Sequence, residues 1–147
     1  MISMDSLPTQ IQLEVVTPER QLVHEAVLSV TVPGKRGYLG ILPGHAPLLS
    51  ELQPGELAYS EAHVTHYLSV SWGFIEVVTE RVIVLAQTAE HAEEIDVDRA
   101  QQAKQRAEER LNNVTATDID FERARAALTR ALSRLQAASH LKGEPGE

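Results

Sequence analysis

The sequence predicts an α+β chain of two domains. An N-terminal antiparallel β-sandwich or barrel spans residues 1–88, and a C-terminal antiparallel helical hairpin spans residues 89–147, ending in a disordered tail. Three observations carry this. Val, Leu, Ile, Gly and Pro dominate up to Thr88, with all three Tyr and the only Trp, whereas Ala, Glu, Arg and Gln dominate after it. Apolar residues before that point alternate with the period of a strand, and after it they recur at helical steps of three and four. No Pro or Gly occurs between Ala89 and Lys142.

The first strand is predicted over residues 10–17 (QIQLEVVT), where Ile11, Leu13 and Val15 share one face. Residues 26–32 (AVLSVTV) repeat the pattern with Leu28, Val30 and Val32. Further strands are expected over 56–60, 64–71, 74–78 and 81–86, with turns at Gly73 and at Thr79-Glu80. Many short strands at close spacing suit a small sandwich or barrel.

Residues 37–49 (GYLGILPGHAPLL) combine six Leu, Ile or Tyr with Gly37, Gly40, Pro43, Gly44 and Pro47. No single strand or helix runs through such a segment. Leu39, Ile41 and Leu42 are expected to pack inward while Pro43-Gly44-His45 turns the chain outward. The alternative is a tight loop that only closes the sandwich.

The first helix is predicted over 97–111, with Asp96 as N-cap and a stripe of Ala100, Ala103, Ala107 and Leu111. The second is predicted over 119–141, capped by Asp118 or Asp120. Its stripe is Phe121, Ala124, Leu128, Ala131 with Leu132, Leu135 and Ala138. The short link 112–117 (NNVTAT) favours antiparallel neighbours. Ala buries little area, so the seam between the helices is expected to be weak and able to open.

The net charge of −8 argues against nucleic acid and against an anionic membrane surface. Without Cys there is no thiol nucleophile, disulfide framework or Cys-based metal site. The start, MISMDSLPTQ, reads as neither a secretory signal nor a transit peptide. No apolar run approaches the ~18 residues of a membrane span. Of the six histidines, His63 and His66 are three apart on a predicted strand and so point to opposite faces, and no metal site is expected. Phosphate-loop, dinucleotide, hydrolase-elbow and zinc-protease motifs are all missing, and no catalytic residue is assigned.

One cluster invites a ligand. Arg123, Arg130 and Arg134 share a face of the second helix, and Arg99, Arg106 and Arg110 form a stripe on the first. Folded together, such stripes suit a phosphate-rich anion, because guanidinium forks pair well with phosphate. Two other readings stay open. One is a solvated surface laced with Glu93, Glu108, Glu109 and Glu122; the other is a dock for an acidic partner protein.

Several motifs together resemble the epsilon subunit of F-type ATP synthases. LGILPGHAPLL (39–49) is similar to that family's signature, LEVVTPER (13–20) to its first strand and turn, and SVSWGFIEV (69–77) to its V-S-G-G-F-x-E-V segment. VIVLAQTAEHAEEID (82–96) resembles the domain junction and DIDFERARAALTRALSRL (118–135) the final helix. The resemblance spans residues 10 to 141 in order. It implies a sandwich of about ten strands, a helical hairpin, and a non-catalytic subunit of the rotor's central stalk that couples proton flow to ATP synthesis. Implied partners are the gamma subunit, the ring of c subunits, and the alpha and beta subunits of the head. Membrane association would come only through the complex, at the cytoplasmic face of the inner membrane rather than the thylakoid.

The resemblance also implies sites. Lys35, Arg36 and Tyr38 fall in the ring-facing loop, and Leu42 and His45 near the gamma-facing turn. Many relatives have Glu where Tyr38 stands, and Gly where Trp72 stands. IDVDRA (95–100) matches the I-D-x-x-R-A motif with which bacterial relatives bind ATP. Carried over, the site comprises Glu90, Ile95, Asp96, Arg99 and Ala100, completed by Arg130 and Arg134. No cofactor is required, and ATP is the implied regulatory ligand. The resemblance implies that with ATP the hairpin folds onto the sandwich, and that without it the helices extend into the head and block ATP hydrolysis. Two alternatives carry other partners: a non-catalytic adaptor and a free ATP-sensing module.

Overall fold

Alternation along the first strand, β1 (Ile11–Val16), becomes burial directly: Ile11, Leu13 and Val15 are buried while Gln12, Glu14 and Val16 are half-exposed. The computed structural model describes residues 8–113 and 117–142. The readings of the N-terminal residues before Pro8, of the central link 114–116 and of the tail from 143 lie outside the described residues. Seven more strands follow: β2 (Gln21–Val27), β3 (Ser29–Gly34), β4 (Gly37–Ile41), β5 (Leu48–Leu52), β6 (Gly55–Glu61), β7 (Val64–Val78) and β8 (Arg81–His91).

Two sheets arise because β7 and β8 are long enough to serve both. In one sheet, β4, β3 and β6 lead to the first half of β7 and the second half of β8. In the other, β2 and β1 lead to the first half of β8, the second half of β7, and β5. β5 and β6 meet β7 in one unbroken register, from Leu48↔Val77 to Leu52↔Gly73 and on from Gly55↔Val70. All pairs are antiparallel except β1 with β8. Between the sheets lie Leu13, Val27, Val32, Ile41, Leu57, Leu68, Ile75 and Val84, each nearly or wholly buried.

Several sequence expectations need correction. Residues 26–32 are not one strand: β2 ends at Val27 and β3 begins at Ser29. Leu28 sits at the switch, 39% exposed, with its N–H donating to the Ser60 carbonyl. The segment 37–49 holds two strands around a turn, where the His45 N–H donates to the Leu42 carbonyl. Ile41 is buried and Leu39 packs against the core, but Leu42 is 64% exposed. Period-2 alternation is the reason: the residue after a buried Ile41 faces the other way. The strands expected over 64–71 and 74–78 are one strand, bent at Trp72 and Gly73, whose φ angles are +46 and +147. Counting β7 and β8 once each gives eight strands rather than about ten.

The helices are α1 (Val97–Leu111) and α2 (Asp118–Ser139). Asp96 caps α1, its carboxylate accepting from the Arg99 N–H at 3.1 Å. For α2 the cap is Thr117, not Asp118 or Asp120; its hydroxyl accepts from the Asp120 N–H at 3.1 Å. Ala100, Ala107, Ala124 and Ala131 are buried at the helical seam. Phe121 and Leu132, expected in the stripe, are 43% and 46% exposed. The buried sector of α2 is turned instead to include Ser133 and Ala137, which face the sandwich.

α2 packs on β6 and β7, whereas the main contact of α1 is α2. A short 3-10 turn, Ala92–Glu94, joins the domains. Arg20 fastens that turn to the sandwich through both oxygens of Glu94, at 2.8 and 2.9 Å. The hydrogen bonds from Arg20 hold the Glu94 carboxyl below the usual carboxylate range.

Candidate functional site

The face of α2 that meets the sandwich is unusually polar. Ser133 donates to the Gly55 carbonyl at 2.8 Å and lies 2.7 Å from the Ser69 hydroxyl, a buried network between α2, β6 and β7. At the helix end, the His140 ring stacks on Tyr67, with centroids 3.6 Å apart, and its Nε2 lies 2.6 Å from Glu56. Burial pushes the Glu56 carboxyl up, against the pull of His140. The apolar share is modest: Ala137 and Ala138 against Ala92 and Ile95, with Tyr67 and Val97 beside them. Such a contact depends on geometry more than on buried area, which suits an attachment that can be released.

Between α1, α2 and β8 lies a cleft of about 340 Å³. Thr88 and Glu90 line it from β8, Arg106 and Arg110 from α1, and Arg130 and Arg134 from α2, with Ala103, Ala107, Ala127 and Ala131 as its floor. The small alanines leave the space, and the i, i+4 spacing puts each arginine pair on one helix face. Four guanidiniums face one carboxylate, in a chain whose net charge is −8. The Glu90 carboxylate pairs with Arg134, accepting from Nε at 2.7 Å and from a terminal nitrogen at 3.4 Å. Among the described residues, Arg106, Arg110 and Arg130 form no ion pair. Instead, Arg130 lies over the Trp72 ring, 5.3 Å from its centroid.

The cleft brings together Glu90, Arg130 and Arg134 of the sequence-predicted ATP residues. Ile95, Asp96, Arg99 and Ala100 are not among its lining residues. Ile95 belongs to the apolar cluster under α2, Asp96 caps α1, Arg99 is exposed, and Ala100 is fully buried in the seam. Arg99 and Arg106 are two helical turns apart, ~10 Å of rise. Arg106 and Arg110, legible in the sequence only as a basic stripe, line the cleft directly. Thr88 and Trp72 had no signal of this role, because only tertiary folding brings them to the helices.

The other candidate residues sit at two ends of β4. Lys35 and Arg36 border an open groove of about 580 Å³ with Leu49, Glu51 and Phe74, and Lys35 pairs with Glu51 at 2.9 Å. Tyr38 is 53% exposed and folds over Gly55, its hydroxyl accepting from the Glu56 N–H. Leu42 and His45 belong to the turn at the far end, where the His45 ring nitrogen lies 2.7 Å from the Ala46 carbonyl. No group of metal-binding side chains occurs among the described residues.

Comparison with known proteins bears on both domains. Residues 10–92 match the family model "ATP synthase, Delta/Epsilon chain, beta-sandwich domain", and residues 93–139 match "ATP synthase, Delta/Epsilon chain, long alpha-helix domain". The chain is 45% identical over 129 residues to ATP synthase epsilon chain 2 of Syntrophotalea carbinolica, covering 88% of this chain and 94% of that one. It is 53% identical over 100 residues to the ATP synthase epsilon chain of Koribacter versatilis, covering 68% and 70%. Among solved structures, it is similar to a chain of the Euglena gracilis mitochondrial ATP synthase OSCP/F1/c-ring assembly. That match has a TM-score of 0.80 and 26% identity, covering 95% of this chain and 88% of that one.

Proposed function

This chain belongs to the ATP synthase delta/epsilon family, as an epsilon-type, non-catalytic component of the central stalk of an F-type ATP synthase, and from that premise we propose that its hairpin is a restraint on ATP hydrolysis gated by ATP. Its partners in that complex are the gamma subunit, the c ring, and the alpha and beta subunits, in keeping with the F1/c-ring assembly of its structural neighbour. The sandwich is the gripping part. The Lys35-Arg36-Tyr38 loop faces the ring, and the turn carrying Leu42 and His45 faces gamma. Proton flow through the ring thereby drives the stalk. No helix among the described residues is long and apolar enough to cross a membrane. The proposed placement is peripheral, at the cytoplasmic face of the inner membrane.

One observation carries the regulatory part: the arginine cleft has walls from α1, α2 and β8, so it exists only while the hairpin is folded. Any ligand held there stabilises the folded form in proportion to RT ln(1 + [L]/Kd). ATP fits the charge. Its phosphates would take Arg106, Arg110, Arg130 and Arg134, while its base would lie toward Asp96 and Arg99, ~10 Å away along α1. When the ligand leaves, α1 has little besides α2 to hold it, and the helices extend toward the catalytic head.

The test is ATP hydrolysis by the assembled synthase. A chain ending at His91 should raise hydrolysis at low ATP severalfold over the full chain, with the difference shrinking as ATP rises. Equal hydrolysis with both chains at every ATP concentration would remove the regulatory reading and leave the stalk role intact.

A further inference from the structure

We propose that Trp72 is a positioning residue for the arginine cleft, its indole face holding Arg130 ready for a polyphosphate ligand. This rests on the anionic reading of the cleft given above. Trp72 occupies a left-handed backbone position, φ +46, next to Gly73 at φ +147. A bulky side chain there is uncommon and strained, and such strain persists only where the surroundings hold it in place. Ser71 before it is buried, with its hydroxyl on that of Thr88, a residue of the cleft wall. The bend then carries the indole to α2, under the Arg130 guanidinium at 5.3 Å.

The arginines of the cleft are therefore held in different ways. Arg134 gives two of its five donors to Glu90, whose negative charge a ligand must also meet. The attraction of a cation to a ring face uses the ring quadrupole and consumes no N–H. The five donors of a guanidinium lie in its own plane and stay available for phosphate oxygens. Arg130 thus presents an unpaired charge already seated on a ring, and a side chain placed before binding favours affinity. The ring ties this readiness to the folded state, because Trp72 is on the sandwich and Arg130 on the hairpin. The same indole borders an apolar groove with Val16, Pro18 and Leu85.

The experiment is an ATP titration of the full chain, with calorimetry and the fluorescence of its only Trp read together. Glycine accepts positive φ without penalty, so Trp72→Gly should keep or raise the melting temperature. Its ATP affinity should nonetheless fall about three- to tenfold. Trp72→Phe, which keeps a ring, should recover most of that loss. Wild-type emission should change saturably with ATP, and the change should vanish in Arg130→Gln. Trp72→Gly binding within twofold of wild type, while Arg130→Gln binds weakly, would overturn the positioning role and leave the cleft reading standing. A wild-type chain that binds neither ATP nor tripolyphosphate would overturn the cleft reading, and this inference with it.

Discussion

Arg130→Ala with Arg134→Ala should weaken ATP binding by about a hundredfold or more without unfolding the chain. Each charge-assisted contact to a phosphate contributes about 1.5–3 kcal/mol, and the pair removes two of the four guanidiniums of the cleft. The change also strands Glu90, whose carboxylate now pairs with Arg134 and would then repel the incoming anion. Neither arginine is buried, so the melting temperature of the sandwich should hold. Substituting Lys at both positions keeps the charge but loses the fork, and recovery should be partial. Calorimetry on the full chain reads this directly. Affinity within threefold of wild type would place the nucleotide elsewhere.

The largest effect on stability should come from Gly73→Ala. A Cβ built at Gly73 would lie 1.8 Å from the Leu85 carbonyl oxygen, which is backbone and cannot rotate away. Its φ of +147 is also outside the range that alanine adopts. Relief requires β7 and β8 to separate at the bend where the two sheets share them. Backbone strain and overpacking together should cost about 3 kcal/mol or more. A domain of this size would then melt roughly 15 °C lower, or fail to fold. Thermal unfolding followed by circular dichroism measures it, and a drop below about 3 °C would show that the sheets tolerate the separation.

Much of the fold was legible in the sequence, for reasons that local physics explains. The bounds and cap of α1 follow from Asp96 and an uninterrupted helical run. Strands with clean alternation, such as β1, followed from their apolar period. The misses have a common origin in events that one strand's pattern does not encode. No turn residue marks the switch between Val27 and Ser29. The Gly and Pro residues from Gly37 to Pro47 hid the two strands around them. Gly73, read as a turn, marks a bend within one continuous strand, because Leu52 and Ala86 flank it on both sides. At the start of α2, Asp118 and Asp120 follow Thr117 and are equally good capping residues, so the sequence does not single out the threonine.

The candidate site divides the same way. Spacing alone put Arg130 and Arg134 on one face and suggested an anion. That Glu90 is the paired carboxylate, and that Trp72 holds Arg130, depends on contacts between residues 44 and 58 positions apart in the sequence. No helical or strand period reaches that far.

The central claim is that ATP binds in the folded hairpin and keeps it closed. Backbone NMR of the full chain, titrated with ATP with and without Mg²⁺, tests it most directly. The account predicts saturable shifts along α1 from Asp96 to Arg110 and around Arg130 and Arg134, with slower amide exchange where Ser133 meets Gly55. Millimolar ATP that leaves those resonances and exchange rates unchanged would contradict it.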